Sequence, residues 1–199
     1  MISIVRLDPK TNMKQKVFGM DMKKVPYPQQ IKEILNMFCG LRPRFRLKKC
    51  VADYTGCGRP VVQLLIEQGF NNLIGIIFNA KDKLTNTNAS YKTAMGNYFI
   101  QEIENNRFKY PSLDNFILSV GVNNQAYYHK MMGEHADLLV DRNDNITGNG
   151  NAGSVNMKVR AAPGQHDDTV FADWAANYAA IIDQKMTKMP SGISYRMNR

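Results

Sequence analysis

Residues 50–69, CVADYTGCGRPVVQLLIEQG, indicate the fold of the chain. The stretch begins as a buried strand that ends at Asp53, passes through a glycine turn and becomes an amphipathic helix. Gly56 and Gly58 allow backbone angles that a side chain would forbid, and Pro60 suits the first helical position. Strand-to-helix units build α/β folds, which place their chemistry at the carboxyl ends of strands. Asp53 is therefore the first candidate functional residue.

Two other interpretations of this stretch remain open. A strand, a glycine turn and a helix also describe a nucleotide-phosphate loop, but neither Gly-x-Gly-x-x-Gly nor Gly-Lys-Ser/Thr is present. An acid beside a turn is also often an Asx cap of that turn. The pattern alone leaves Asp53 as either a catalytic carboxylate or a turn cap.

Length and composition bound the class of protein. A chain of 199 residues with 44% hydrophobic residues can bury one core and favours a single domain. No stretch reaches the ~18 apolar residues of a membrane helix, and the first residues lack the apolar run of a signal peptide. Three cysteines without a Cys-x-x-Cys pair indicate neither a disulfide frame nor a thiolate zinc site. We therefore expect a protein of a reducing cytoplasm.

The positive charge is concentrated in the first third. Residues 1–60 hold 13 Lys/Arg against 4 Asp/Glu, whereas residues 61–199 hold 13 of each. Such a basic face would attract a phosphate backbone, although solvated cations also serve solubility. Phe45, within the basic run, could stack on a base or lie in the core. The residues expected to contact DNA are Arg42, Arg44, Arg46, Lys48, Arg59, Lys81 and Lys83.

Hydrophobic periodicity gives the order of the elements. The predicted strands are 2–7 and 14–22, paired as a hairpin, then the strand that ends at Asp53, then 73–78, and finally 137–142 and 154–160, a second hairpin. The predicted helices are 29–38, 60–69, one that begins at 91 and ends before Pro111, and one that opens at 163–168, with helical or irregular cover at 113–120 and 125–133. Parallel strands joined by a helix indicate an α/β fold.

Three blocks of sequence carry a resemblance to a known family. They are VADYTGCGRPVV at 51–62, IGIIFN at 74–79 and GQHDDTVFA at 164–172. Together they resemble the carboxy-terminal nuclease domain of tailed-phage terminase large subunits, over most of the chain. The resemblance implies a ribonuclease H-like mixed sheet flanked by helices, with a β-hairpin near the site. That domain would span residues 1–184, followed by a basic tail at 185–199.

The resemblance also implies a chemistry. The first block is similar to the family's second acidic motif and the last block to its third, so Asp53, Asp167 and Asp168 would hold two Mg²⁺ or Mn²⁺ ions. His166 would orient a carboxylate or touch the phosphate, unless it is structural. The helix dipole favours acids in a first turn regardless of function, and that alternative stays open. The implied activity is endonucleolytic cleavage of viral DNA during genome packaging in the cytoplasm of an infected bacterium.

One part of the family pattern is missing. The first acidic motif of the family lies on a strand ahead of the segment that residues 2–7 match, so we expect this chain to lack that strand and the ATPase domain. Asp8 and Asp21 stand in a turn and at a strand end, where neither is a convincing replacement. Loss of a central strand would leave a groove between its neighbours.

Three functions therefore remain. The chain is a nuclease completed in trans by a partner that carries the ATPase and the first acidic strand, with the small terminase subunit and the portal as further partners. Alternatively, it is a catalytically inactive DNA- or protein-binding module, or an assembly component of the phage particle.

Overall fold

The computed structural model describes residues 1–40, 43–56, 58–85, 87–112, 117–118, 124–136, 138–142, 157–161 and 167–188. The strands are β1 (Ile2–Leu7), β2 (Lys14–Met20), β3 (Cys50–Asp53), β4 (Leu73–Ile76), β5 (Phe108–Lys109), β6 (Ile117–Leu118), β7 (Leu138–Arg142) and β8 (Met157–Ala161). The helices are α1 (Tyr27–Phe38), α2 (Gly58–Glu67), α3 (Tyr91–Glu104), α4 (Asn124–Ala136) and α5 (Asp168–Lys188). The chain is thus mixed α/β, as the sequence predicts.

The described strands form three sheets. β1 and β2 make an antiparallel hairpin with an irregularity between Ile4 and Val5, and β5 and β6 each pair with β2 in parallel. β3 and β4 are parallel, which confirms the predicted strand–helix–strand unit. β7 and β8 pair with each other as the second predicted hairpin. Instead of one continuous sheet, the described residues form separate sheets around β1 and β3.

Helices cover both faces of these strands. On one face, Ile31 of α1 packs with α2, while Met37 of α1 packs against the β1–β2 hairpin. On the other face, Val5 of β1 and Val51 of β3 both pack against the cluster that contains Trp174 of α5. Because α1 and α5 each contact both sheets, the two sheets belong to one core.

Several boundaries differ from the sequence predictions. α2 begins at Gly58, so Pro60 is its third residue rather than its first. Residues 117–118 form the short strand β6 within a segment predicted as helical or irregular. α5 continues to Lys188, through four residues that the sequence placed in the tail. Among the described helices, none combines the length and apolar character needed to cross a membrane.

Candidate functional site

Asp53 ends β3 and caps the turn that follows. Its Oδ1 accepts hydrogen bonds from the backbone N–H and the hydroxyl of Thr55, at 3.0 and 2.6 Å. The residue is exposed to solvent. Asp53 therefore is an Asx cap, and its exposure leaves the carboxylate accessible to a ligand from solvent as well.

The glycine turn after Asp53 uses its two described glycines differently. Gly56 has a φ of +47°, a conformation that side chains disfavour. Gly58 lacks a positive φ, contrary to the expectation that both glycines supply unusual angles. At Gly58 a Cβ atom would instead lie 2.4 Å from the carbonyl oxygen of Asp53. The start of α2 thus presses directly on the backbone of the candidate acid.

Replacing Gly58 with alanine should destabilise the protein by about 1–3 kcal/mol, because the added methyl meets a backbone oxygen that has little freedom to move. Urea unfolding measures the loss. The matched control is Gly133→Ala in α4, where the added Cβ would meet nothing within 4 Å. That change should stabilise the protein by up to about 1 kcal/mol through helix propensity. Equal effects of the two changes would contradict the close packing of Gly58.

The other two candidate acids stand at the start of α5. The carbonyl oxygen of Asp167 accepts the N–H of Phe171 at 3.0 Å, and Asp167 is half-buried. Asp168 is the first residue of the helix and is exposed. His166, the predicted orienting residue, lies outside the described residues.

Asp53 and the start of α5 lie at the same end of the molecule. Asp53 pairs with Ile76 at the end of β4. Two residues later, the ring of Phe78 contacts the ring of Phe171, with centroids 5.9 Å apart. The carboxyl edge of β3 and β4 therefore meets the first turn of α5. Among the described residues, however, no group of three or more His, Cys, Asp or Glu could hold a metal ion.

The first turn of α5 is fastened to α4 by Glu134. Its Oε2 accepts the N–H and the hydroxyl of Thr169, at 2.8 and 2.5 Å. Lys130, one turn earlier in α4, lies 3.8 Å from the other oxygen of Glu134 and 2.7 Å from Oδ2 of Asp21. Burial raises the pKa of Asp21, but the hydrogen bonds from Lys130 and from the backbone N–H of Lys23, together with nearby positive charge, outweigh burial and lower the pKa.

The two early acids both have structural partners. Asp21 is ion-paired with Lys130, as just described. Asp8 accepts the N–H of Lys10 at 2.9 Å and the hydroxyl of Thr11 at 2.9 Å, which closes the β1–β2 turn. Both acids therefore stabilise the fold.

A buried polar cluster, which sequence reasoning missed, lies one turn further along α5. Asp173 is fully buried and forms an ion pair with the fully buried Lys16 of β2. Its carboxylate also accepts the hydroxyl of Ser3 at 2.6 Å and that of Tyr110 at 3.0 Å, and lies 3.0 Å from Nε2 of His135. Burial raises the pKa of Asp173, yet Lys16 and His135 outweigh burial and lower it to about 2. The cluster joins α5 to β1, β2 and α4.

The sequence did contain a weak signal for this cluster. Asp173 interrupts the apolar stripe of α5 next to Trp174, and Lys14 and Lys16 share one side of the alternating strand β2. Lys14 is also buried and pairs with Glu102 at 2.8 Å. Charged residues on apolar faces are the signal, because such residues are rarely buried without a partner.

The basic segment before β3 has an exposed cationic side. Arg44, Arg46 and Lys48 are exposed, as alternation predicts, while Arg42 lies outside the described residues. Phe45 packs in the core beside the ring of Phe18, with centroids 5.1 Å apart, so it takes the core role rather than base stacking. Three cations therefore line one solvent face.

The remaining predicted DNA contacts are also exposed. Arg59 projects from the first turn of α2, with its guanidinium 5.5 Å from the ring centre of Tyr54, which follows Asp53. Lys81 and Lys83 flank the buried Asp82, which accepts the hydroxyl of Tyr178 at 2.6 Å. Arg59 is thus the cation placed beside the Asp53 turn.

Comparison of the chain with protein-family models, with characterised proteins and with solved structures finds no match.

Proposed function

We propose that this chain is a ribonuclease H-like nuclease domain of the phage terminase type, which cleaves viral DNA during genome packaging. The observation that carries the proposal is the common location of Asp53 and Asp168. Both are exposed, one ends a parallel strand and the other begins the helix that packs on that strand. This common location supports the proposal, because the resemblance assigns Asp53 to the second acidic motif and Asp168 to the third.

The chemistry of these residues suits a divalent metal. Carboxylate oxygens are the ligands that Mg²⁺ and Mn²⁺ prefer, so Asp53, Asp167 and Asp168 would contribute to the metal site. Such ions activate water and stabilise the leaving oxygen in phosphodiester hydrolysis. The described residues alone form no group of three ligands. The proposal takes the further carboxylate from a partner chain.

The exposed cations support a nucleic-acid substrate. Arg44, Arg46 and Lys48 present positive charge on one side of the segment that enters β3, and Arg59 lies next to the turn after β3. Cations near the carboxylates would hold the phosphate backbone and offset the repulsion between the acids and DNA.

The test is reconstitution of cleavage in trans. The chain is mixed with the polypeptide encoded by the neighbouring upstream gene, and supercoiled plasmid is incubated with Mn²⁺ or with EDTA. We expect nicked and linear DNA only when both polypeptides and Mn²⁺ are present. If the plasmid stays uncut when both polypeptides and Mn²⁺ are present, that result contradicts the nuclease proposal.

A DNA-binding module without catalysis is the second candidate. It is favoured by the exposed cations together with the lack of a third ligand among the described acids. In this case the chain alone retards DNA in a gel mobility-shift assay. A plot of the logarithm of the affinity against the logarithm of the salt concentration then falls with a slope of about 0.9 per phosphate contact. Replacing Arg46 with glutamine would lower that slope, whereas Lys10→Gln in the distant β1–β2 turn would not.

Co-purification with capsids without DNA binding would instead indicate a particle component.

A further inference from the structure

Two inner strands of the core each have one unpaired edge in the part of the chain that the structure describes. β1 pairs with β2 only, and β3 pairs with β4 only. The N–H groups of Cys50 and Tyr54 donate on the β4 side, to the carbonyl oxygens of Asn72, just before β4, and of Ile76, its last residue. Since backbone groups alternate along a strand, those of Val51 and Asp53 point away from β4. In the β1–β2 hairpin, the N–H group of Asp8 donates to the carbonyl oxygen of Met13 and so points toward β2. Because the direction alternates, the backbone groups of Leu7 and Val5 point away from β2.

The same helix contacts both of these strands. α5 lies closer to β1 and β3 than to β2 and β4, so β1 and β3 are the inner strands of the two sheets. Val5 and Val51 pack against one cluster on this helix. The unpaired edges of β1 and β3 therefore lie on the same side of the core, under α5.

The two inner strands run in opposite directions. Asp173, near the start of α5, binds Ser3 at the start of β1, and Gln184, near the end of α5, binds Asn12 in the turn after β1 at 2.9 Å. α5 therefore runs along β1 in the same sense. The start of α5 also contacts Phe78, just beyond the end of β4. β3 and β4 thus end where β1 begins, and one added strand can be antiparallel to β1 and parallel to β3.

Buried polar groups of α5 lack partners beneath this location. Asn177 is fully buried, and among the described residues neither its amide oxygen nor its amide nitrogen has a hydrogen-bond partner. Nε1 of the buried Trp174 likewise has no described partner. Asn177 lies one turn after Asp173 and about two turns before Gln184, which places it along β1. Native structures satisfy nearly all buried polar groups, so these atoms indicate a missing partner.

We propose that a β-strand from a second polypeptide pairs with β1 and β3 at once and gives a hydrogen bond to Asn177. The strand alternates apolar and small polar residues, since both of its faces are covered by helices and one face must reach the amide. A second copy of this chain does not fit, because each of its described strands is already paired on one side, whereas the added strand needs two free edges. If the proposed function holds, the strand also ends in an acid, because its carboxyl end lies beside Asp53 and the start of α5.

Amide hydrogen exchange of the full chain tests the docking. The probe is a synthetic nine-residue peptide of alternating valine and threonine that ends in aspartate, and the control carries proline at alternate positions, which removes its donors. We expect the amides of Val5, Leu7, Val51 and Asp53 to exchange about tenfold more slowly with the first peptide and unchanged with the second. Protection at one strand only, or equal protection by both peptides, would overturn the proposal. The proposal would also be overturned if these amides were protected without peptide under conditions in which analytical ultracentrifugation shows that the chain alone is a dimer.

Asn177→Leu provides an independent test with effects of opposite sign. The change should raise the melting temperature of the chain alone, because it removes an unsatisfied buried amide, and should weaken peptide binding about tenfold through loss of one hydrogen bond. Asn97→Leu, at a half-buried position of α3, is the matched control and should leave peptide binding unchanged. A lower melting temperature for Asn177→Leu would mean that the amide has a partner within the chain and would reject the proposal.

Docking and catalysis can fail separately. Peptide protection of both strands without cleavage by the reconstituted mixture rejects the nuclease function and leaves the strand site in place. Cleavage by the reconstituted mixture, with no protection of the Val5 and Val51 amides by the upstream polypeptide, rejects the strand site and leaves the nuclease function in place.

Discussion

Replacing Asp173 with leucine should destabilise the protein by about 3–5 kcal/mol, the usual effect of removing one partner of a buried ion pair. Lys16 is fully buried and would be left without its counter-ion. The hydroxyls of Ser3 and Tyr110 would lose the same acceptor. Because Trp174 is the neighbouring residue and the single tryptophan of the chain, its fluorescence reports unfolding in urea directly.

A second substitution tests this explanation. Lys16→Met in combination with Asp173→Leu should recover much of the lost stability, since an apolar pair of similar volume avoids the desolvation of both charges. Glu67→Gln, at an exposed position of α2, is the control and should change stability by less than about 0.5 kcal/mol. If the double variant is no more stable than Asp173→Leu, the ion pair is not the source of the effect.

The contribution of Asp173 should also depend on pH in a defined window. The pKa of its carboxyl group is lowered to about 2 in the folded protein, below the value of about 3.9 expected when unfolded. The stabilisation is therefore fully present above the unfolded pKa and is lost as the pH falls toward the folded pKa. The stability difference between the natural protein and Asp173→Asn should shrink between about pH 4 and pH 2.

Local patterns in the sequence predicted the local elements well. The hairpin of β1 and β2 and the β3–α2–β4 unit follow from alternation, from glycines and from periodic apolar residues, all of which act within a few positions. The end of α5 was harder to predict, because residues 185–188 look basic and solvated. In the structure, Nζ of Lys185 donates to the hydroxyl of Tyr98 at 3.0 Å, a contact with α3 that accompanies the extra helical turn.

Contacts between distant charges could not be predicted in the same way. Lys16 and Asp173 are 157 positions apart, and although each lies on an apolar face, nothing in the sequence identifies one as the partner of the other. Only the tertiary structure shows that Lys16 of β2 lies against α5, where it pairs with Asp173. The division of the described strands among three sheets is equally non-local, since it depends on which strands pair and not on the sequence of any one strand.

Asp53→Asn should lower the cleavage rate of the reconstituted nuclease about 10³-fold, equivalent to about 4 kcal/mol of transition-state stabilisation. Asparagine removes the negative charge that a divalent metal requires, but its side-chain oxygen can still accept the N–H and hydroxyl of Thr55, so the turn is kept. Plasmid cleavage with Mn²⁺ gives the rate, and urea unfolding checks that stability is unchanged. Asp168→Asn should have a similar effect.

The control for this prediction is Asp8→Asn, which makes the same change in charge in another exposed Asx turn, at the opposite end of β1. It should leave cleavage unaltered, because the β1–β2 turn is remote from the first turn of α5. DNA affinity should change little in all three variants, because the cations Arg44, Arg46 and Lys48 are retained. Full cleavage by Asp53→Asn would mean that this acid only caps its turn, since the hydrogen bonds to Thr55 alone would then account for its position at the end of β3.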